Sequence, residues 1–232
     1  MLPLFTNIWN IEPTLDEKKA AVKALIEESS PTGAFYIMLI SATVIVAIGL
    51  MLGNTAIVIG GMLVSPLLAP FLAFGLGVAL GDKIVALRSL WIVFITSVFV
   101  FIVSVLLGLM YPFNGVNIEI ISRAEPSLGY LLVAIFAGFA GTFSYVKPKL
   151  SVILPGVAIA IAVLPPLVVS ALGVVLWDPD IIFGAMALYF VNLIGISFAS
   201  IAVFAVFGFY PLRRRAEREV KKEDDGSKGI KT

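Results

Sequence analysis

Residues 60–70 read GGMLVSPLLAP: two glycines, a serine and two prolines inside a stretch with no charge from Thr55 to Leu80. A second uncharged stretch, Leu150 to Trp177, carries Pro155-Gly156 and then Pro165-Pro166. Proline lacks the backbone donor and its ring crowds the preceding turn, so each stretch should break or kink partway. In hydrocarbon the freed backbone groups find no water, and broken helices survive only against other helices or a wet cavity. Paired interruptions in two halves of a membrane protein point to a binding site near the midplane. The chemistry they predict is coordination of a small solute or ion by unwound backbone. Its candidate residues are Gly60, Gly61, Ser65, Pro66, Pro70, Gly156, Pro165 and Pro166, joined by the Asn192 side chain.

Other polar groups at membrane depth are neutral hydroxyls, such as Thr43, Thr96, Ser97, Ser104, Thr142, Ser170 and Ser200. Such groups ordinarily bond a carbonyl of their own helix. Ser65 stands apart because it precedes Pro66, and Asn192 because a buried amide is costly unless partnered. The chain has no histidine and no cysteine, which removes the commonest general base, thiolate nucleophiles and the usual metal ligands. With no carboxylate or lysine inside the apolar segments either, neither an intramembrane hydrolase nor a proton relay can be assembled. The chain is not expected to be an enzyme. Nothing in it specifies a cofactor.

These residues must be held by helices in a membrane. Hydrophobic residues make up 60% and charged residues 13% of the 232, and the mean hydropathy is +1.07. Six segments reach spanning length, near 33–52, 55–80, 88–111, 128–146, 150–177 and 181–210. The expected fold is all-α, a polytopic membrane domain of six helices over 33–210, with helices 2 and 5 broken or kinked. The first eleven residues carry no basic side chain and do not read as a cleaved signal; Phe5 and Trp9 suit the membrane interface. Thr14-Leu15-Asp16-Glu17 predicts a capping box opening an amphipathic surface helix to about Ser29, within an N-terminal cytoplasmic segment of residues 1–32. The tail, 211–232, opens with a basic cluster suited to anionic headgroups and reads as disordered beyond Lys222. Asn54 is expected to cap the turn between helices 1 and 2, and the AGFAG at 137–141 to let two helices approach closely.

With both termini in the cytoplasm, 15 of the 16 basic residues fall inside and only Arg123 outside, whereas Glu119, Glu125, Asp178 and Asp180 are external. This predicts a multi-pass protein of the cell membrane. A shift of 96 residues pairs Gly60 with Gly156, Pro70 with Pro166, Gly77 with Gly173, Asp82 with Asp178 and Ser104 with Ser200. Three helices per half reverse direction between halves, so the expected organisation is a 3+3 inverted repeat, 33–111 and 128–210.

Three segments carry a family resemblance: Phe35–Asp82 around GGMLVSPLLAP, LPGVAIAIAVLPPLVVSALG at 154–173, and YFVNLIGI around Asn192. They resemble the "uncharacterised hydrophobic domain" family of bacterial and archaeal membrane proteins over about residues 33–210. The resemblance implies one polytopic domain with two signature helices, and it supplies no substrate. The residues favour a transporter or permeation pathway for a small solute or ion. The alternative is a non-transport membrane scaffold or lipid-binding protein. Membrane lipids and a second copy of the chain are the expected partners, a two-fold dimer foremost, and nucleic acid is not one.

Overall fold

A computed structural model describes residues 12–111, 113, 115–147 and 163–229, which form helices and turns with no strand among them. The helices are α1 (Leu15–Glu28), α2 (Gly33–Met51), α3 (Thr55–Val64), α4 (Leu68–Ala79) and α5 (Lys83–Met110), then α6 (Ile118–Ile121), α7 (Leu128–Val146), α8 (Leu164–Leu176), α9 (Pro179–Val206) and α10 (Arg213–Gly229). Four of them, α2, α5, α7 and α9, are long and apolar enough to cross a membrane, and α3 with α4 makes a bent apolar pair, either a broken span or a re-entrant loop. Of the sixth expected span, 150–177, only α8 lies within the described residues; Gly156 falls outside them.

Three of the turns between helices share one construction. At the end of α2, Gly53 takes the left-handed conformation (φ +64°), and the Asn54 amide donates to the Gly49 carbonyl at 2.9 Å. The Asn54 side chain then accepts from the Ala56 and Ile57 amides and opens α3, as its position predicts. Between α4 and α5 the same geometry uses Gly77, Gly81 and Asp82; between α8 and α9 it uses Gly173, Trp177 and Asp178. Each is a Schellman stop fused to an N-cap. The leading glycine is forced by proximity: a Cβ on Gly49, Gly77 or Gly173 would stand 2.9, 2.4 or 3.0 Å from the amide nitrogen of Val58, Ala86 or Ile182.

Small residues set the packing, because burial against lipid tails gives apolar side chains no advantage and close backbone approach must supply the attraction. A Cβ on Gly138 would lie 2.8 Å from Ile196 Cα, and one on Gly195 2.8 Å from Ala134 Cβ, so α7 and α9 cross closely at the AGFAG segment. Gly75 plays the same part between α4 and α9, against Ser200. The α8 helix is central, with every residue from Leu164 to Gly173 buried against α2, α5 and α9.

Beyond the spans, α1 has the expected capping box, Thr14 and Glu17 bonding each other's amides. Its apolar face buries Ala21, Val22, Leu25 and Ile26 against α4, α7 and α10. Taking such side chains out of water contributes roughly 1.5–3 kcal/mol for each of the larger ones. The tail corrects the expectation of a disordered end: α10 continues past Lys222 to Gly229. Its start and first turns carry a stripe at helical spacing, Leu212, Ala216 and Val220, all buried, beneath ion pairs Arg213–Glu217, Arg215–Glu219 and Lys222–Glu219. Arg213 also pairs with Asp82 at 3.5 Å, and Arg88 with Asp224 at 2.8 Å, tying α10 to both ends of the α4–α5 turn region.

Candidate functional site

The break in the first signature lies where the prolines place it. Pro66 disfavours helical backbone at the residue before it, and Ser65 is extended, with φ −70° and ψ 126°. The chain re-enters a helix at Leu68 after turning by 52°. Pro70 occupies the third position of α4, and Pro165 and Pro166 the second and third of α8, where a missing amide costs little because first-turn amides lack helical partners anyway. Pro165 and Pro166 thus stand in the first turn of α8, and the segment before Val163, with Pro155 and Gly156, lies outside the described residues.

Depth follows from register. Gly49 abuts Val58, and Gly61 abuts Val46 and the Ala42 carbonyl, so antiparallel pairing of α2 and α3 brings Ser65 level with the middle of α2. Leu167, one turn into α8, borders a groove with Val93 and Ser97, midway along α5. The two half-helices α4 and α8 thus begin at similar depth, and α3 touches α8.

The named residues divide by role. Gly61 is a packing glycine, with no room for a Cβ beside Val46 at 2.6 Å, whereas a Cβ on Gly60 would meet nothing within 4 Å. Pro70, Pro165 and Pro166 are buried in helix starts. Asn192 is 5% exposed on α9 and is partnered. Ser65 and Pro66 border a cavity of about 440 Å³, and Asn192 is not among its lining residues. The Ser65 Oγ is buried and has no hydrogen-bond partner among the described residues.

That cavity is a wedge opened by the bend. Phe35 and Met38 of α2 form one wall, Leu63, Leu68 and Ala69 beside the break form the other, and Glu27, Glu28 and Ser30 sit at the mouth. Tyr145, near the end of α7, donates its hydroxyl to Glu28 Oε2. Sequence reasoning missed Glu27, Glu28 and Tyr145. A signal was present: α1 ends on two adjacent carboxylates with no base in its last turn, where the helix dipole favours cations. A second groove, about 340 Å³, lies between α5, α8 and α9 and is walled by hydrocarbon except for a 2.6 Å bond between Ser97 Oγ and Tyr189 OH.

At the opposite end of the spans, Thr55 Oγ1 donates to Glu119 Oε1 at 2.5 Å, and Arg123 pairs with Glu119 Oε2. Burial pushes the Glu119 carboxyl up, but the Thr55 hydroxyl and the Arg123 charge outweigh it and hold the group below the ordinary carboxylate value.

Comparison with known families matches residues 62–198 to a family model described as a domain of unknown function (DUF389). The chain belongs to this family. The match spans the break, α4 to α8 and most of α9, including Asn192. An uncharacterized protein of Methanocaldococcus jannaschii is 33% identical over 186 residues, which cover 80% of this chain and 58% of that relative. The chain therefore spans little more than half the length of that protein. No solved structure matches.

Proposed function

We propose that this DUF389 chain is a membrane transporter or permeation pathway for a small solute or ion, entered at the broken span between α3 and α4. The observation that carries the reading is the open wedge at that break, with the Ser65 hydroxyl beside it, which has no hydrogen-bond partner among the described residues. A kink used only for packing would be filled by neighbouring side chains. The matched halves support it: α5 and α9 have 28 residues each and begin at Lys83 and Pro179, α4 and α8 begin at Leu68 and Leu164, and the Asp82 and Asp178 caps correspond at the same offset of 96. We read them as an inverted repeat of six spans whose halves rock about the break, with both termini cytoplasmic and no catalytic step. Backbone close approach on glycine-lined faces suits a homodimer.

The test is flux. Reconstituted in liposomes, the protein is expected to carry at least one of sodium, potassium, chloride or glycerol faster than protein-free liposomes. Ser65→Ala is expected to slow that flux at least about tenfold, with expression and particle mass unchanged. Transport of none of the four favours the second reading, a lipid-binding protein. Its specific support is the hydrocarbon-walled groove beside Ser97 and Tyr189, which is shaped for an acyl chain. A monomeric mass in mild detergent and in a native-bilayer extract excludes the dimer.

A further inference from the structure

The wedge at Ser65 selects for charge. We infer that it is a cation-admitting vestibule, with Glu27 and Glu28 as its mouth and the α3–α4 break as its inner end. The inference rests on the transport reading and names the class of solute.

Three observations carry it. The first is the balance of donors and acceptors at the inner end. A proline deletes a backbone amide and leaves every carbonyl in place. Pro66 and Pro70 fall four residues apart, so the Pro66 carbonyl lacks the amide that would meet it in a continuous helix, and the Met62 carbonyl is met by Ser65 in place of residue 66. A break made by prolines is acceptor-rich, and acceptors suit a cation. Those same deletions thin the amides at the start of α4, which an anion would need.

The second is the mouth. Glu27 and Glu28 line the wedge, and among the described residues no basic one does. Glu27 meets Lys23 at 3.5 Å on the exposed surface of α1, a pairing that solvent weakens. Glu28 bonds only the neutral Tyr145 hydroxyl among the described residues. Arg88 reaches Ser30 Oγ at 3.2 Å from behind the mouth, but Asp224 holds its guanidinium at 2.8 Å. The third is the wall between mouth and break: Phe35, Met38, Leu63 and Leu68 are hydrocarbon, and a low-dielectric wall focuses the carboxylate field along the cavity.

The chain lacks native cysteine, so single cysteines report on the wedge directly. Ser65→Cys and Met38→Cys are each reacted, in the full chain in sealed membrane vesicles, with a cationic and an anionic methanethiosulfonate of similar size. Each rate is normalised to that of a free thiol. From the α1 side the cationic reagent is expected to react at least about tenfold faster, the scale on which a charged cleft concentrates counter-ions. Glu27→Gln with Glu28→Gln should bring the ratio close to one. Ile37→Cys, 66% exposed on the outer face of α2 and outside the wedge, should react with neither. Should Ser65→Cys fail to fold, Met38→Cys carries the measurement alone. Equal rates, or a faster anionic reagent, overturn the cation class and leave the transport reading standing. No reaction at either position from either side overturns both.

Discussion

Single residues divide between those that make the break and those that close the turns. Pro66 does the former: Ser65 is extended because it precedes proline, and the 52° bend follows from that one backbone choice. Because Pro70 would also interrupt a continuous helix, Pro66→Ala together with Pro70→Ala should let α3 run into α4 and narrow the wedge, so that a cysteine at Met38 reacts with a water-soluble thiol reagent at least about tenfold more slowly. An unchanged rate places the cause of the bend elsewhere. At the turns, Gly53 and Gly81 both hold φ +64°, a conformation that costs a side chain about 1–2 kcal/mol, yet Trp177 holds φ 56° in the third copy. Gly53→Ala and Gly81→Ala are each expected to destabilise the protein by about that amount in chemical or thermal unfolding. Trp177→Gly, replacing a side chain 89% exposed, should be neutral or stabilising, and a loss as large as the glycine variants' would show that the indole contributes more than its backbone costs.

Elements were legible in the sequence where one physical cause acts alone. The capping box of α1, the Asn54 cap and the break before Pro66 follow from local chemistry and stand where residue type puts them. Proline in an apolar run is ambiguous, since it ends one helix or begins the next: Pro165 and Pro166 stand in the first turn of α8, and the segment before Val163 that carries the rest of the expected interruption lies outside the described residues. In α10 charge masked periodicity, since Ala216 and Val220 are a thin apolar stripe within a run dominated by Arg, Lys and Glu. Glu27, Glu28 and Tyr145 were hidden for another reason, that α1 and α7 meet only in three dimensions. Short α6 gives the element-scale test. Glu119 bridges it to Thr55 of α3 with its carboxyl held below the ordinary value near 4.5, so folding is favoured by the full ion pair above the unfolded-state value and loses that contribution as pH falls through the lower folded-state one. Melting temperature measured from about pH 6 down to about pH 3 should therefore fall, and Glu119→Gln should flatten the part of that fall due to this group. Parallel curves for both proteins would remove Glu119 from the acid sensitivity.

At the scale of the whole molecule, the starts of α4 and α8 and of α5 and α9 correspond at an offset of 96 residues, a match stronger than the individual identities. In a sequence this apolar, matched Leu, Val and Ala mean little. Matched helix starts, lengths and turn types are harder to obtain by chance, because each needs its own glycine and cap. The packing is reciprocal as well: α9 lies against α4, and α5 against α8, so each half supplies the long helix that covers the other half's short one. An inverted repeat makes a sharp demand on topology, since positions 96 residues apart must face opposite sides of the membrane. Ile84 and Asp180 are such a pair, both exposed in the first turn after an aspartate cap. The lysines and arginines assign the Ile84 end to the cytoplasm and the Asp180 end to the outside. In the cysteine-free chain, Asp180→Cys in intact cells is expected to react with a membrane-impermeant maleimide, and Ile84→Cys to react only after the membrane is opened. Lys147→Cys should behave like Ile84→Cys, since Lys147 pairs with Glu17 at the start of α1 and must share its side. Labelling of positions 84 and 180 from one side would end the inverted repeat and, with it, the rocking of two equivalent halves; external labelling at 147 would reverse the orientation while leaving the repeat intact.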